Sequence, residues 1–124
     1  MAATRQPTVL IVEDEPEIRA IVAAEFTDAG FAVLEAADDC GALAHLDSDR
    51  DISLLFTDIR LPGEHDGWVI ALRARTLRPG LPVFYATGYT DRSPQLVPGG
   101  LFFRKPYLPR TIVEAALALG IGAR

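Results

Sequence analysis

The chain has 124 residues, enough for one domain with a substantial core, and its 49% hydrophobic and 23% charged residues are an ordinary balance for a globular protein. The formal net charge of −5 argues against a general nucleic-acid-binding surface, and a single cysteine, Cys40, excludes an internal disulfide framework and a thiolate zinc set. No run approaches the ~18 apolar residues of a membrane span and residues 1–7 carry no signal-peptide pattern, so the expected compartment is the cytoplasm.

Taken in order, Thr8 to Val12 is an apolar, β-branched run of strand length that ends in Glu13-Asp14-Glu15. Pro16 next is a helix-start signal; Ile18, Ile21, Val22 and Phe26 follow at helical spacing, and Gly30 suits the position just past the helix end. Phe31 to Ala36 reads as a second, less apolar strand. Asp38-Asp39 opens a short helix with Leu43 and Leu46, in which Cys40 is expected to be a small, partly buried residue. Ile52 to Thr57 is nearly continuous in apolar residues, the pattern of a strand covered on both faces, and it stops at Asp58, followed by Leu61-Pro62-Gly63 and Asp66-Gly67. A third helix carries Trp68, Ile70, Ala71, Leu72 and Ala74 and ends near Arg78-Pro79-Gly80. Leu81 to Ala86 is a fourth strand, terminating at Thr87-Gly88. Between Tyr89 and Gly100, Pro94, Pro98 and Gly99-Gly100 leave room for one or two helical turns at best. Leu101 to Arg104 is a fifth strand, Lys105-Pro106 a turn, and a last helix runs from about Pro109 to Leu119 with Ile112, Val113, Ala116 and Leu117 inward, stopping at Gly120. Strands alternating with helices over one domain, 1–124, predict an α/β fold: a flavodoxin-like, doubly wound, five-stranded parallel sheet in the order 2-1-3-4-5, with the fourth helix shortened or absent.

In that order the first, third, fourth and fifth strands are neighbours, and ligands bind beyond the carboxyl ends of the strands of such a sheet. Glu13-Asp14, Asp58, Thr87 and Lys105 all stand at those ends. Each has a plainer account alone: an acid that caps a helix, an Asx-turn, a turn threonine, a solvated lysine. Those accounts do not explain why all four groups fall at the same end of adjacent strands.

With Val12-Glu13-Asp14-Glu15, Thr57-Asp58-Ile59-Arg60-Leu61-Pro62, Asp66-Gly67, Ala86-Thr87-Gly88-Tyr89 and Lys105-Pro106-Tyr107 in this order, the chain resembles the response-regulator receiver domains of two-component signalling. The segment from Phe84 to Tyr89 is also similar to the Phe-Ala-Thr-Gly-x-Tyr variant of stand-alone receivers, with Tyr85 in place of Phe. The resemblance implies that Asp58 accepts a phosphoryl group from a histidine kinase or a histidine phosphotransfer protein and that the chain then switches binding to an unidentified downstream protein target. It implies no enzyme activity beyond the domain's own phosphorylation and dephosphorylation, and no direct nucleic-acid or membrane partner. Phosphoryl transfer depends on positioning and charge neutralisation, which suits these residue types. Asp14, Asp58 and the Arg60 backbone carbonyl would bind Mg²⁺, with Glu13 holding a water of that ion or the ion itself, while Lys105 and Thr87 would meet the phosphoryl oxygens. The switch candidates are Tyr89 and Phe102, the latter at the family's reporting position although it lacks a hydroxyl.

Three departures from the family pattern stand out. The interval from Pro62 to Asp66-Gly67 is one residue longer, so the loop over the site should differ. Arg60 occupies a position more often Asn, where its side chain could pair with a phosphoryl group or with Glu64. The interval 87–105 is short for a full helix. Two competing readings are a degenerate receiver fold used as a constitutive protein-interaction module, and a flavodoxin-like cofactor binder. The acidic residues after the first strand would repel the phosphate of the latter's flavin.

Overall fold

The computed structural model describes residues 6–88 and 97–121. Five parallel strands form one sheet in the order β2-β1-β3-β4-β5: β1 Thr8–Val12, β2 Ala32–Ala36, β3 Leu54–Asp58, β4 Val83–Thr87 and β5 Leu101–Arg104. The helices are α1 Pro16–Asp28, α2 Asp39–Leu46, α3 Gly67–Leu77 and α4 Pro109–Ala118. The expected fold and strand order hold. Among the described residues no helix separates β4 from β5; residues 89–96, with Tyr89 among them, lie outside the described residues.

Successive side chains of a strand point to opposite faces, and here both faces are covered. Val9, Ile11, Leu54, Phe56 and Phe84 pack with Val22 and Phe26 of α1 and Ile112, Val113 and Ala116 of α4. Leu10, Val12, Leu55, Val83 and Tyr85 pack with Ala42 and Leu46 of α2 and Ile70, Ala71 and Ala74 of α3. This two-sided burial is why β1, β3 and β4 read as continuous apolar runs rather than alternating ones.

The helix ends follow the local chemistry. Pro16 stands in the first turn of α1, and Gly30, at φ 95°, follows the terminal Ala29 as the left-handed residue expected there. Asp38 caps α2 by accepting the Gly41 N–H, and Asp66 caps α3 by accepting the Val69 N–H.

Two expectations about helix faces are corrected. Cys40 is exposed: α2 buries Asp39, Ala42 and Leu46, and Cys40 lies one position off that stripe. Leu117, expected inward, also faces outward, because the stripe of α4 is narrow and is filled by Ile112, Val113 and Ala116. The third strand ends one residue later than expected. Asp58 is its last paired residue, opposite Ala86 of β4.

Candidate phosphoacceptor site

Because the sheet is parallel, the carboxyl ends of β1, β3, β4 and β5 open on the same edge. Glu13 and Asp14 follow β1, Asp58 ends β3, Thr87 ends β4 and Lys105 follows β5. The Lys105 N–H donates to the Thr87 carbonyl at 2.9 Å, continuing the β4–β5 pairing by one step and bringing the lysine stem over the site. The Lys105–Pro106 peptide is cis.

The Lys105 ammonium lies 2.9 Å from Glu13 Oε1 and 3.0 Å from Asp58 Oδ2. Burial works against its charge, but hydrogen bonds to the two carboxylates, and their charges, outweigh that and hold its pKa above the ordinary lysine value. Glu13 is almost wholly buried. Burial pushes its pKa up. The Glu15 N–H, at 3.0 Å from Oε2, and Lys105 pull it down, and the Asp58 charge adds to the upward push, which wins. Glu13 thus pairs with Lys105 and is not the N-cap of α1; that position is Glu15, which makes no side-chain cap bond.

Asp58 divides its carboxylate between two donors. Oδ2 takes the Lys105 ammonium, and Oδ1 accepts the Arg60 N–H at 3.3 Å. Gly67, the first residue of α3, makes room for this geometry. A Cβ there would come within 2.3 Å of the Asp58 carbonyl oxygen and 2.7 Å of Ile59 Cα, so only glycine lets α3 start against the backbone of the strand end. Thr87 is buried and Asp14 is exposed.

One carboxylate oxygen from each of Glu13, Asp14 and Asp58 lies within 4.8 Å of the other two. The donors are all hard oxygens, and exposed Asp14 leaves one side of the cluster open for the waters that a small divalent cation keeps. The residues present therefore fit Mg²⁺.

Of the two switch candidates, Phe102 is half-buried on β5, opposite Tyr85, and packs against the core on the α2–α3 face of the sheet. Two features had no signal in the sequence. The Tyr107 hydroxyl is buried without a hydrogen bond among the described residues, its ring edge-on to Phe56 at 5.7 Å; burial, with the Glu13 charge next, pushes its pKa up to about 12. Asp39 is buried at the start of α2 and binds His65 of the β3–α3 loop.

The acid cluster and the lysine lie at the carboxyl edge of a doubly wound parallel sheet, the place where ligands bind in sheets of this kind. Residues 9–99 match the response regulator receiver domain, and the chain belongs to that family. It is 31% identical over 114 residues to the C4-dicarboxylate transport transcriptional regulatory protein DctD of Rhizobium meliloti, across 89% of this chain and 24% of that protein. It is 34% identical over 122 residues to the transcriptional regulatory protein AruR of Pseudomonas aeruginosa, across 89% of this chain and 48% of that protein. The chain thus spans about a quarter to a half of the length of these curated relatives. Among solved structures, a response regulator receiver protein from Sinorhizobium medicae superposes with a TM-score of 0.83 at 29% identity, covering 93% of this chain and 94% of that one. The receiver domain of the hybrid histidine kinase CckA superposes with a TM-score of 0.77 at 32% identity, covering 90% and 96%. No helix among the described residues is long and apolar enough to cross a membrane.

Proposed function

We propose that the chain is a phosphorylation-dependent signalling receiver in which Asp58 takes a phosphoryl group from a phosphohistidine of a histidine kinase or histidine phosphotransfer protein. The observation that carries this reading is the convergence of Asp58, Lys105, Glu13 and Asp14 at one edge of the sheet, with Lys105 Nζ 3.0 Å from Asp58 Oδ2. An Asp58 carboxylate oxygen forms the new P–O bond as the P–N bond to the imidazole breaks, and the leaving imidazole nitrogen keeps the electron pair and takes up a proton from solvent. Glu13, Asp14, Asp58 and the Arg60 backbone carbonyl would hold Mg²⁺, which when bound neutralises charge spread over the phosphoryl oxygens. Lys105 meets that charge as a fixed cation and Thr87 offers a hydroxyl. The chain acts on no substrate besides its own phosphoacceptor.

The added charge then re-pairs Lys105 and Thr87, and rearrangement around Thr87, with Tyr89 and Phe102 as reporters, switches affinity for a downstream protein. The net charge of −5 supports protein partners over nucleic acid, and we place the exchange in the cytoplasm. The test is incubation with Mg²⁺ and acetyl phosphate followed by intact mass. One phosphoryl mass gained by the wild type and none by Asp58→Asn is the expected result. An unmodified wild type would leave the fold as a constitutive interaction module.

A further inference from the structure

The loop from Arg60 to Asp66 leaves β3 just past Asp58 and returns to α3. Its neck is closed by the Gly67 N–H donating to the Ile59 carbonyl at 2.8 Å. Its returning limb is held from outside. Asp39, in the first turn of α2, accepts the backbone N–H of His65 at 3.1 Å, and the His65 ring places Nδ1 2.9 Å from the same Oδ2. A carboxylate has no proton to give, so Nδ1 carries it. Oδ1 of Asp39 accepts the Cys40 N–H at 2.9 Å, which orients the carboxylate from its own helix. Gly63, at φ +110°, lays its backbone against the same group: a Cβ there would stand 2.3 Å from Asp39 Oδ1. The Asp39 side chain is 7% exposed and the His65 side chain 42%. Asp39 is buried on the same stripe of α2 as Ala42 and Leu46 and is the acid of the helix's first turn. Its Oδ2 takes both donors of the loop residue His65, while Oδ1 stays with its own helix.

We infer that Asp39 and His65 are positioning residues that clamp the returning limb of the proposed phosphoacceptor loop, just before α3, onto α2 and so fix the Arg60 backbone beside Asp58. This rests on the proposed function, in which the Arg60 carbonyl is a Mg²⁺ ligand. It also accounts for the residue by which this loop exceeds the family pattern: the longer excursion reaches α2, where the acid waits. Neither residue touches the phosphoryl group; both act through Arg60. Outer partners that orient a metal's ligands are worth about tenfold or more in metal affinity.

The test uses Asp39→Ala, His65→Ala and His65→Asn, whose amide nitrogen stands near the place of imidazole Nδ1. Three measurements are made on the whole chain: hydrogen exchange of residues 60–66, the Mg²⁺ dissociation constant by calorimetry, and the acetyl phosphate rate as a function of Mg²⁺. The two alanine variants are expected to speed exchange in the loop and raise the Mg²⁺ dissociation constant about tenfold, while the rate at saturating Mg²⁺ stays near that of the wild type. His65→Asn should recover most of the affinity. Loss of thermal stability with an unchanged Mg²⁺ constant and unchanged loop exchange would overturn the clamp. A wild type that binds no Mg²⁺ would instead sink the functional reading, and loop exchange would still decide whether Asp39 holds the loop.

Discussion

One ammonium, that of Lys105, bridges Asp58 and Glu13, residues 47 and 92 positions earlier in the chain. It pairs with both carboxylates at once. Lys105→Met leaves Glu13 buried without its ammonium, and at Asp58 it removes a preorganised positive charge from a developing one. Such a loss costs on the order of 10²-fold in rate. The expected outcome is acetyl phosphate phosphorylation slowed by about that factor at saturating Mg²⁺. A rate within about threefold of wild type, well short of that loss, would remove Lys105 from the mechanism.

Glu13, Asp14 and Asp58 crowd negative charge at one point, and a cation that binds only the folded state stabilises it by linkage. At a hundredfold excess over its dissociation constant the gain is about 2.7 kcal/mol, or roughly 10 °C in Tm for a domain of this size. Thermal denaturation with and without Mg²⁺ should show that shift, and Asp14→Ala should remove most of it.

The pKa of Asp39 is lowered from its ordinary 3.8, first by the hydrogen bond from the His65 ring and then, against the cost of burial, by the N–H groups of His65 and Cys40. A carboxylate depressed in the folded state stabilises it at pH above the unfolded value and loses that contribution as the pH falls through the folded one. Urea unfolding of wild type and Asp39→Asn should therefore differ at pH 6 and converge well below pH 3.8. Parallel curves down to the acid transition would mean that the pair adds nothing to folding.

Gly67→Ala places a methyl group against backbone atoms of Asp58 and Ile59, which cannot rotate away. Overpacking of this kind costs about 1–3 kcal/mol. Chemical denaturation should show a loss of that size. Because the clash falls on the carbonyl of Asp58, the proposed phosphoacceptor, phosphorylation should slow more than for a variant of similar stability loss at Leu46, which is buried at the end of α2.

What the chain announces locally is read locally. β-branched runs bounded by Pro, Gly and acids mark the strands, and alternation with helices decides that they pair in parallel. The parallel sheet in turn brings Glu13, Asp14, Asp58, Thr87 and Lys105 to one edge. That much follows from sequence because strand direction and order fix where each strand ends. Cys40 and Leu117 were misread because helical spacing shows that an amphipathic stripe exists but not how wide a stripe the sheet accepts. Asp39 and His65 carried no sign of their pairing: the first reads as an acid in a helix's opening turn, the second as a loop residue 26 positions away. Only the packing of α2 beside the β3–α3 loop makes them neighbours, because the distance between two side chains on separate elements is set by the docking of those elements and not by either one's own pattern.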